Sequence, residues 1–125
     1  MKYTITGATG HLGREVVKEL SKLTDSKNIR LAVRSPQKAE DFAKAGYEVM
    51  HSDYYDVPSM VEAFTGTDVL IYIPSITYNV GKRIEEFENS LEAMKEAGVK
   101  HLVDVSFMAD QANNPFQMAG YYAYL

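Results

Sequence analysis

Apolar and polar positions along the chain follow two alternating spacings. Short runs of β-branched, aromatic and other apolar residues are typical of strands that are covered on both faces. Between these runs, apolar residues recur every three or four positions, which indicates amphipathic helices. On this basis we predict strands over residues 2–6, 29–33, 47–50, 69–73 and 101–105.

Helices are predicted in the four intervals between these strands. The first helix begins at His11, and Pro36 opens a short second helix because proline is tolerated in a first turn. Asp56 is expected to N-cap the third helix. The fourth helix ends at Gly98 and carries its apolar stripe on Ile84, Phe87, Leu91 and Met94.

The regular alternation of strand and helix predicts the fold class. Parallel strands joined by helices require right-handed crossovers, which place helices on both faces of one sheet. We therefore predict an α/β fold, a Rossmann-type doubly wound parallel sheet with strand order 3-2-1-4-5. A chain of 125 residues suits one domain, so we expect residues 1–125 to form a single unit.

Composition narrows the classes of function. The net charge of −4 argues against nucleic-acid binding, which usually needs a basic face. The sequence has no cysteine, which excludes disulfides and thiolate chemistry and fits a cytoplasmic location. Its apolar runs are too short to span a membrane, and its histidines lack the spacing of a metal site. We expect neither a membrane nor a metal to be involved.

The strongest motif is TGATGHLG, residues 6–13, hereafter the glycine motif. It joins the first strand to the first helix, where the free N–H groups of a helix N-terminus bind phosphate. Glycines there permit a sharp turn, the approach of a pyrophosphate and close helix packing. The alternative is a glycine-rich turn without a ligand. The residues predicted to contact a dinucleotide are Gly7, Thr9, Gly10, His11, Leu12 and Gly13.

Arg34 ends the second predicted strand, roughly twenty residues beyond the glycines, where NAD-binding sites often carry an acid for the ribose 2′-hydroxyl. A guanidinium at that position grips a 2′-phosphate through paired charged hydrogen bonds. Ser35 and Lys38 are predicted to assist it. The cofactor expected is therefore NADP(H), with NAD(H) as second choice. The alternatives are a solvated arginine at a strand end and a serine that caps the next helix.

The G-x-x-G-x-x-G spacing resembles the fingerprint of the extended and atypical short-chain dehydrogenases/reductases. The segments LAVRSPQKA, HSDYYD, SMVEAF and SFMADQANNPF further resemble the NmrA-like family. That family includes triphenylmethane-type and quinone-type NAD(P)H reductases and redox-sensing regulators that bind dinucleotide without consuming it. The resemblance covers the whole chain but about the first half of a typical member. It implies an NAD(P)-binding domain over residues 1–125 without the C-terminal substrate-binding part, and hence a chain inactive by itself.

The resemblance also implies further cofactor contacts. Asp53, after the third predicted strand, is expected to bind the adenine amino group, with a turn-forming aspartate as the alternative. Ile73, Pro74 and Ser75 are expected to lie along the ribose and adenine, because ligands settle at the carboxyl ends of parallel strands.

Catalytic residues are not identified by the sequence. Ser106 is positioned like the serine of ordinary short-chain dehydrogenases, whose tyrosine is paired with a lysine four residues later. Tyr121 is the candidate for that tyrosine, but Leu125 stands where the lysine belongs. Tyr121, Tyr122 and Tyr124 are better interpreted as packing or pocket-wall residues.

Two classes of function are left open by the sequence. The first is an NAD(P)H-dependent oxidoreductase acting on a small quinone-like or aromatic acceptor. The second is a non-catalytic NADP-sensing regulator that binds a protein partner. An open edge on the last strand also predicts a homo-oligomer.

Overall fold

The computed structural model describes residues 1–74 and 80–104 of the protein. Within these residues the elements alternate as predicted. The strands are β1 (Tyr3–Thr6), β2 (Ile29–Val33), β3 (Glu48–His51), β4 (Val69–Tyr72) and β5 (His101–Asp104). The α-helices are α1 (His11–Leu20), α2 (Glu40–Lys44), α3 (Val57–Phe64) and α4 (Val80–Ala97). Two 3₁₀ turns, Ser26–Asn28 and Pro36–Ala39, precede β2 and α2.

The strands form one parallel sheet in the order β3-β2-β1-β4-β5, which confirms the predicted topology. The central strand is β1, where Tyr3 lies opposite Ile29 of β2 on one side and Val69 of β4 on the other. The order of strands therefore reverses between β1 and β4. Open α/β sheets form their ligand crevice at such a point, at the carboxyl ends of the strands.

Apolar side chains cover both faces of the sheet. One core joins α3 and α4 to the sheet through fully buried residues such as Phe64, Met94 and Tyr72. The other core joins α1 to the opposite face through Val17 and Ile5. Burial of side chains of this size contributes about 1.5–3 kcal/mol each. The two cores confirm the predicted placement of helices on both faces.

The ends of three strands differ from the prediction. The first strand begins at Tyr3 rather than at Lys2, and the third strand extends to His51. Tyr47 was expected to open the third strand, but its N–H donates to the carbonyl of Phe42 at 3.1 Å and closes α2 instead. Gly46 makes this closure possible with a φ of 101°. The fourth strand was expected to include Ile73, whose N–H donates instead to the Thr6 hydroxyl at 2.8 Å. The predicted second helix also begins as the 3₁₀ turn Pro36–Ala39 before α2.

Of the helices in the described ranges 1–74 and 80–104, none combines the length and the apolar character needed to cross a membrane.

Candidate functional site

The carboxyl ends of β1 and β4 are tied together where the strand order reverses. The Thr6 hydroxyl accepts from the N–H of Ile73 at 2.8 Å and donates to its carbonyl at 3.0 Å. The Tyr54 hydroxyl donates to the same carbonyl at 2.5 Å. Thr6 and Ile73 are 2% and 5% exposed, so these hydrogen bonds are shielded from water. These hydrogen bonds connect the carboxyl ends of β1 and β4 at the side of the crevice where the strand order reverses.

Two glycines of the glycine motif are required by the backbone conformation and the packing of the fold, whether or not a ligand binds. Gly7 has a φ of 63°, a left-handed conformation, and a Cβ there would lie 3.0 Å from the carbonyl oxygen of Ile73. A Cβ on Gly13 would lie 2.7 Å from the Cα of Ala8 and nearer still to the carbonyl oxygen of Gly7. Gly7 therefore makes the turn after β1, and Gly13 allows α1 to pack against that turn.

Gly10 has a different environment. It is exposed, its φ of −76° suits any residue, and among the described residues a Cβ there would meet only the carbonyl oxygen of Gly7, at an ordinary 3.6 Å. The protein's own packing therefore does not require glycine at this position. Gly10 is also the N-cap of α1 and has no side chain with which to cap it. Open space beside uncapped N–H groups fits an anion such as a pyrophosphate.

The other residues of the glycine motif are placed differently. His11 is exposed at the first position of α1. Leu12 is half-buried and packs against the core beneath α1, so its side chain is already engaged. The carbonyl of Thr9 accepts a hydrogen bond from the Nε of Arg14 at 3.2 Å. The predicted cofactor contacts of these three residues stay predictions.

Arg34 follows β2 directly and is exposed. Its guanidinium makes no hydrogen bond or ion pair within residues 1–74 and 80–104. Lys38 is exposed as well, in the turn Pro36–Ala39. Ser35 occupies the N-cap of that turn, as the capping alternative expects, although its hydroxyl makes no capping hydrogen bond. Both cations are thus available to an anionic ligand, as the predicted 2′-phosphate contact requires.

Arg14 is a residue of this region that the sequence analysis missed. Besides the bond to Thr9, its Nη1 donates to the Asp41 carboxylate at 2.9 Å and its Nη2 to the Lys38 carbonyl at 3.2 Å. Its guanidinium carbon lies 4.9 Å from the ring centre of Phe42. The hydrogen bond from Arg14 holds the pKa of the Asp41 carboxyl below its usual value.

Asp53 forms a turn after β3. Its Oδ1 accepts from the N–H of Tyr55 at 2.9 Å, and its carbonyl accepts from the N–H of Asp56 at 2.9 Å. Its own N–H donates to the Ser59 hydroxyl at 3.0 Å. The turn-forming role considered for this aspartate is present. The contact with adenine stays a prediction for the residue thus positioned.

Tyrosines form a second group of side chains near the ends of β3 and β4. Burial raises the pKa of the Tyr54 and Tyr72 hydroxyls above their ordinary value, and the two rings meet edge to face at 5.8 Å. The Tyr55 hydroxyl donates to the buried carboxylate of Glu86 at 2.7 Å, which raises its pKa to about 12. Tyr54 and Tyr55 therefore act as hydrogen-bond donors, to the Ile73 carbonyl and the Glu86 carboxylate, while Tyr72 contributes through the packing of its ring.

Some predicted site residues lie outside the described part of the chain. These are Ser75 of the cofactor group and the catalytic candidates Ser106 and Tyr121. Pro74 is half-buried directly after Ile73. Within the described residues, no three His, Asp or Glu side chains are grouped so that they could hold a metal ion.

Open space at Gly10 beside the N-terminus of α1, and an arginine after β2 that has no ion-pair partner among the described residues, are features typical of the dinucleotide-binding class of protein. The chain belongs to the NAD(P)H-binding family, whose model matches residues 7–124. This membership confirms the predicted nicotinamide dinucleotide as the cofactor.

Proteins similar to this chain include reductases. Quinone oxidoreductase 2 of Escherichia coli K12 is 38% identical over 104 residues, which are 83% of this chain and 36% of that protein. Its crystal structure with NADPH matches with a TM-score of 0.76 at 37% identity, over 82% of this chain and 35% of that chain. Triphenylmethane reductase of Citrobacter sp., complexed with NADP(H), matches with a TM-score of 0.81 at 35% identity, over 83% of this chain and 36% of that chain.

A further relative carries the family name inferred from the sequence. The NmrA-like family domain-containing oxidoreductase malD of Malbranchea aurantiaca is 35% identical over 115 residues, 80% of this chain and 32% of that protein. The resemblance to NmrA-like reductases is thereby confirmed. The chain spans about a third of the length of these relatives, between 32% and 36%. It is homologous to the NAD(P)H-binding part of oxidoreductases.

Proposed function

We propose that the chain is the NADP(H)-binding domain of an oxidoreductase that reduces small quinone-like or aromatic acceptors. The observation that carries the choice of NADP(H) is the exposed guanidinium of Arg34, which has no ion-pair partner in the described residues. An arginine left unpaired in this place is suited to a 2′-phosphate, with which it forms paired charged hydrogen bonds.

In this proposal, the remaining site residues each bind a different part of the dinucleotide. The N-terminus of α1 and the space at Gly10 receive the pyrophosphate. Lys38 adds a second positive charge beside the 2′-phosphate. Asp53 is held by its turn for the adenine amino group. The proposed domain covers residues 1–125 and includes Ser75, Ser106 and Tyr121.

The bound cofactor would supply a hydride, while the protein supplies binding, orientation and exclusion of water. The names of two relatives, a quinone oxidoreductase and a triphenylmethane reductase, support an aromatic or quinone-like acceptor. The cysteine-free composition supports a cytoplasmic location. The outer edge of β5 has no paired strand within the described residues, which supports self-association.

The decisive experiment compares the affinities for NADPH and NADH. We expect the wild type to prefer NADPH by roughly tenfold to a hundredfold, and Arg34→Ala to lose most of this preference through weaker NADPH binding. Lys44→Ala is the matched control, because it removes a cation of α2 that lies 3.8 Å from Glu40 and is already paired. A wild type without preference, or an Arg34→Ala variant that keeps it, contradicts the assignment of NADP(H).

The acceptor is tested by following NADPH absorbance with quinones and triarylmethane dyes, using the longest form of the protein that its gene encodes. Saturable NADPH consumption that is lost in Gly10→Val is expected. Tight NADPH binding without consumption of cofactor overturns the oxidoreductase part of the proposal and favours a dinucleotide-sensing regulator.

A further inference from the structure

The side chain of Arg14 connects two segments that the proposed function uses separately. One is the glycine motif, whose Thr9 carbonyl accepts from Nε at 3.2 Å. The other follows Arg34, and there the Lys38 carbonyl accepts from Nη2 at 3.2 Å and the Asp41 carboxylate from Nη1 at 2.9 Å. Each nitrogen of the guanidinium thus donates to a different residue. The pyrophosphate cradle and the 2′-phosphate segment are joined through one planar group.

The plane of this guanidinium is itself fixed. Its central carbon lies 4.9 Å from the ring centre of Phe42, within the range of a cation–π contact. The Phe42 ring in turn meets the ring of Tyr47 edge to face, with centres 5.5 Å apart. Hydrogen bonds at the rim and an aromatic ring at the face hold the group in one orientation. The Arg14 side chain is 41% exposed, so its ion pair with Asp41 would by itself add little to the stability of the fold.

We propose that Arg14 is a positioning residue that sets the preference for NADP(H), because it neutralises Asp41 and ties the Arg34–Lys38 segment to the glycine motif. The inference rests on the proposed function and extends it to a residue that need not touch the cofactor.

Charge explains why the effect should fall on one cofactor. Asp41 is three residues after Lys38 in the segment proposed to receive the 2′-phosphate. That phosphate brings about 1.5–2 negative charges at neutral pH, whereas the corresponding hydroxyl of NAD(H) brings none. Without Arg14, the carboxylate of Asp41 would repel the phosphate and compete for Arg34 and Lys38. NADPH would lose affinity and NADH would not.

The test measures the dissociation constants of NADPH and NADH for wild type and Arg14→Met. We expect Arg14→Met to weaken NADPH binding by about fivefold to tenfold and NADH binding by less than about twofold. Arg14→Met/Asp41→Asn removes the unpaired carboxylate and should recover most of the wild-type ratio. If Arg14→Met does not fold, Arg14→Gln replaces it, with the same loss expected because it also removes the charge.

Arg30→Met is the matched control. Arg30 also binds one carboxylate and two carbonyls, namely Glu48 at 3.0 Å, Ala63 at 2.7 Å and Thr65 at 2.6 Å, but it lies near the amino end of β2. Its loss should lower the unfolding temperature and leave the ratio of affinities unchanged.

Three results would overturn the role of Arg14. They are an unchanged ratio in Arg14→Met, an equal loss for both cofactors, and a double variant that stays at the level of Arg14→Met. Failure of the proposed function is recognised separately, because the wild type itself would then show no preference for NADPH, and the inference would fall with it.

Discussion

The two ends of the parallel strands carry charged residues that are used in different ways. At the amino-terminal end, the Glu48 carboxylate accepts from Lys2 at 2.9 Å and from Arg30 at 3.0 Å. Asp68 accepts from the main-chain N–H of Lys2 at 2.7 Å and lies 3.9 Å from the Lys100 ammonium. The charges at this end of the sheet are paired with each other across neighbouring strands.

At the carboxyl-terminal end, Arg34 and Lys38 have no ion-pair partner among the described residues. No side chain of the described residues caps the N-terminus of α1, and these residues leave open space beside it at Gly10. Arg14 is paired there with Asp41. In the described residues, the charges at the amino-terminal end pair with each other, whereas Arg34, Lys38 and the first N–H groups of α1 have no such partners, as the proposed cofactor site requires.

The largest expected effect is a loss of dinucleotide binding caused by a substitution at the carboxyl-terminal end of the sheet. Gly10→Val should weaken dinucleotide binding by about a hundredfold or more, because branched carbons would fill the space that we propose for the pyrophosphate. The fold should survive, since the added Cβ meets the protein at an ordinary 3.6 Å. Isothermal titration with NADPH and thermal unfolding measure the two quantities.

Gly13→Ala is the counterpart of this variant, because its Cβ would collide with the main chain of Gly7 and Ala8. We expect it to destabilise the fold by about 3 kcal/mol. A folded Gly10→Val protein with unchanged affinity would show that the glycine motif is only a turn.

A smaller effect is expected from substitutions of buried threonines at the two ends of the sheet. Near the amino ends, the hydroxyls of Thr4 and Thr67 are 2.6 Å apart and buried; near the carboxyl ends, Thr6 binds Ile73. Thr67→Val and Thr6→Val should each lower the free energy of unfolding by about 1–3 kcal/mol, because each leaves a buried polar group unpaired. Only Thr6→Val should also weaken NADPH binding, since it releases the wall of the crevice.

Urea unfolding and NADPH titration of both variants make this comparison. The double variant Thr4→Val/Thr67→Val should be more stable than Thr67→Val, because it leaves no hydroxyl unpaired. Equal effects of Thr67→Val and Thr6→Val on cofactor affinity would contradict the division between the two ends.

The smallest effect concerns pH at the amino-terminal end. Hydrogen bonds from Lys2 and Arg30 hold the pKa of Glu48 below its usual value. A carboxylate with a lowered pKa stabilises the fold above the ordinary glutamate pKa of about 4.3, and this contribution is lost as the pH falls through the lowered pKa. Glu48→Gln should therefore cost about 0.5 kcal/mol at pH 7, since the side chain is 43% exposed.

The difference between Glu48→Gln and wild type should shrink as the pH falls below the ordinary glutamate value, and cofactor affinity at pH 7 should be unchanged. Glu40→Gln is the control, because its partner Lys44 is 3.8 Å away and both side chains are over 70% exposed. A difference that grows on acidification would contradict a lowered pKa of Glu48 in the folded protein.

Local patterns predicted the elements well and their ends less well. The second strand, Ile29–Val33, agrees with the structure to the residue, because its apolar run is bounded on both sides by polar residues. The third strand was predicted to begin at Tyr47, directly after the helix C-cap expected at Gly46, whereas the N–H of Tyr47 still belongs to the closure of α2 through its hydrogen bond to Phe42. The Thr6 bond that ends the fourth strand joins residues 67 apart, and no local pattern records it.

The candidate site divides in the same manner. The glycines and Arg34 were found because their spacing from the strands is itself the signal. Arg14 was missed because a polar residue on a helix surface is ordinary in sequence, and its carbonyl partners come from separate segments. The pairing of Tyr55 with the buried Glu86 likewise appears only once α3 and α4 are packed together.

The position of the crevice between β1 and β4 also bears on folding kinetics. The β1–β2–β3 half assembles from segments that are near in sequence, whereas the Thr6–Ile73 connection closes a separation of 67 residues. Such long closures form late, because their entropy must be lost before the contacts are gained. A nascent chain with only its first three strands ordered has no completed crevice. We therefore expect the nucleotide to bind after the half-sheets have joined, and to slow unfolding rather than to speed folding.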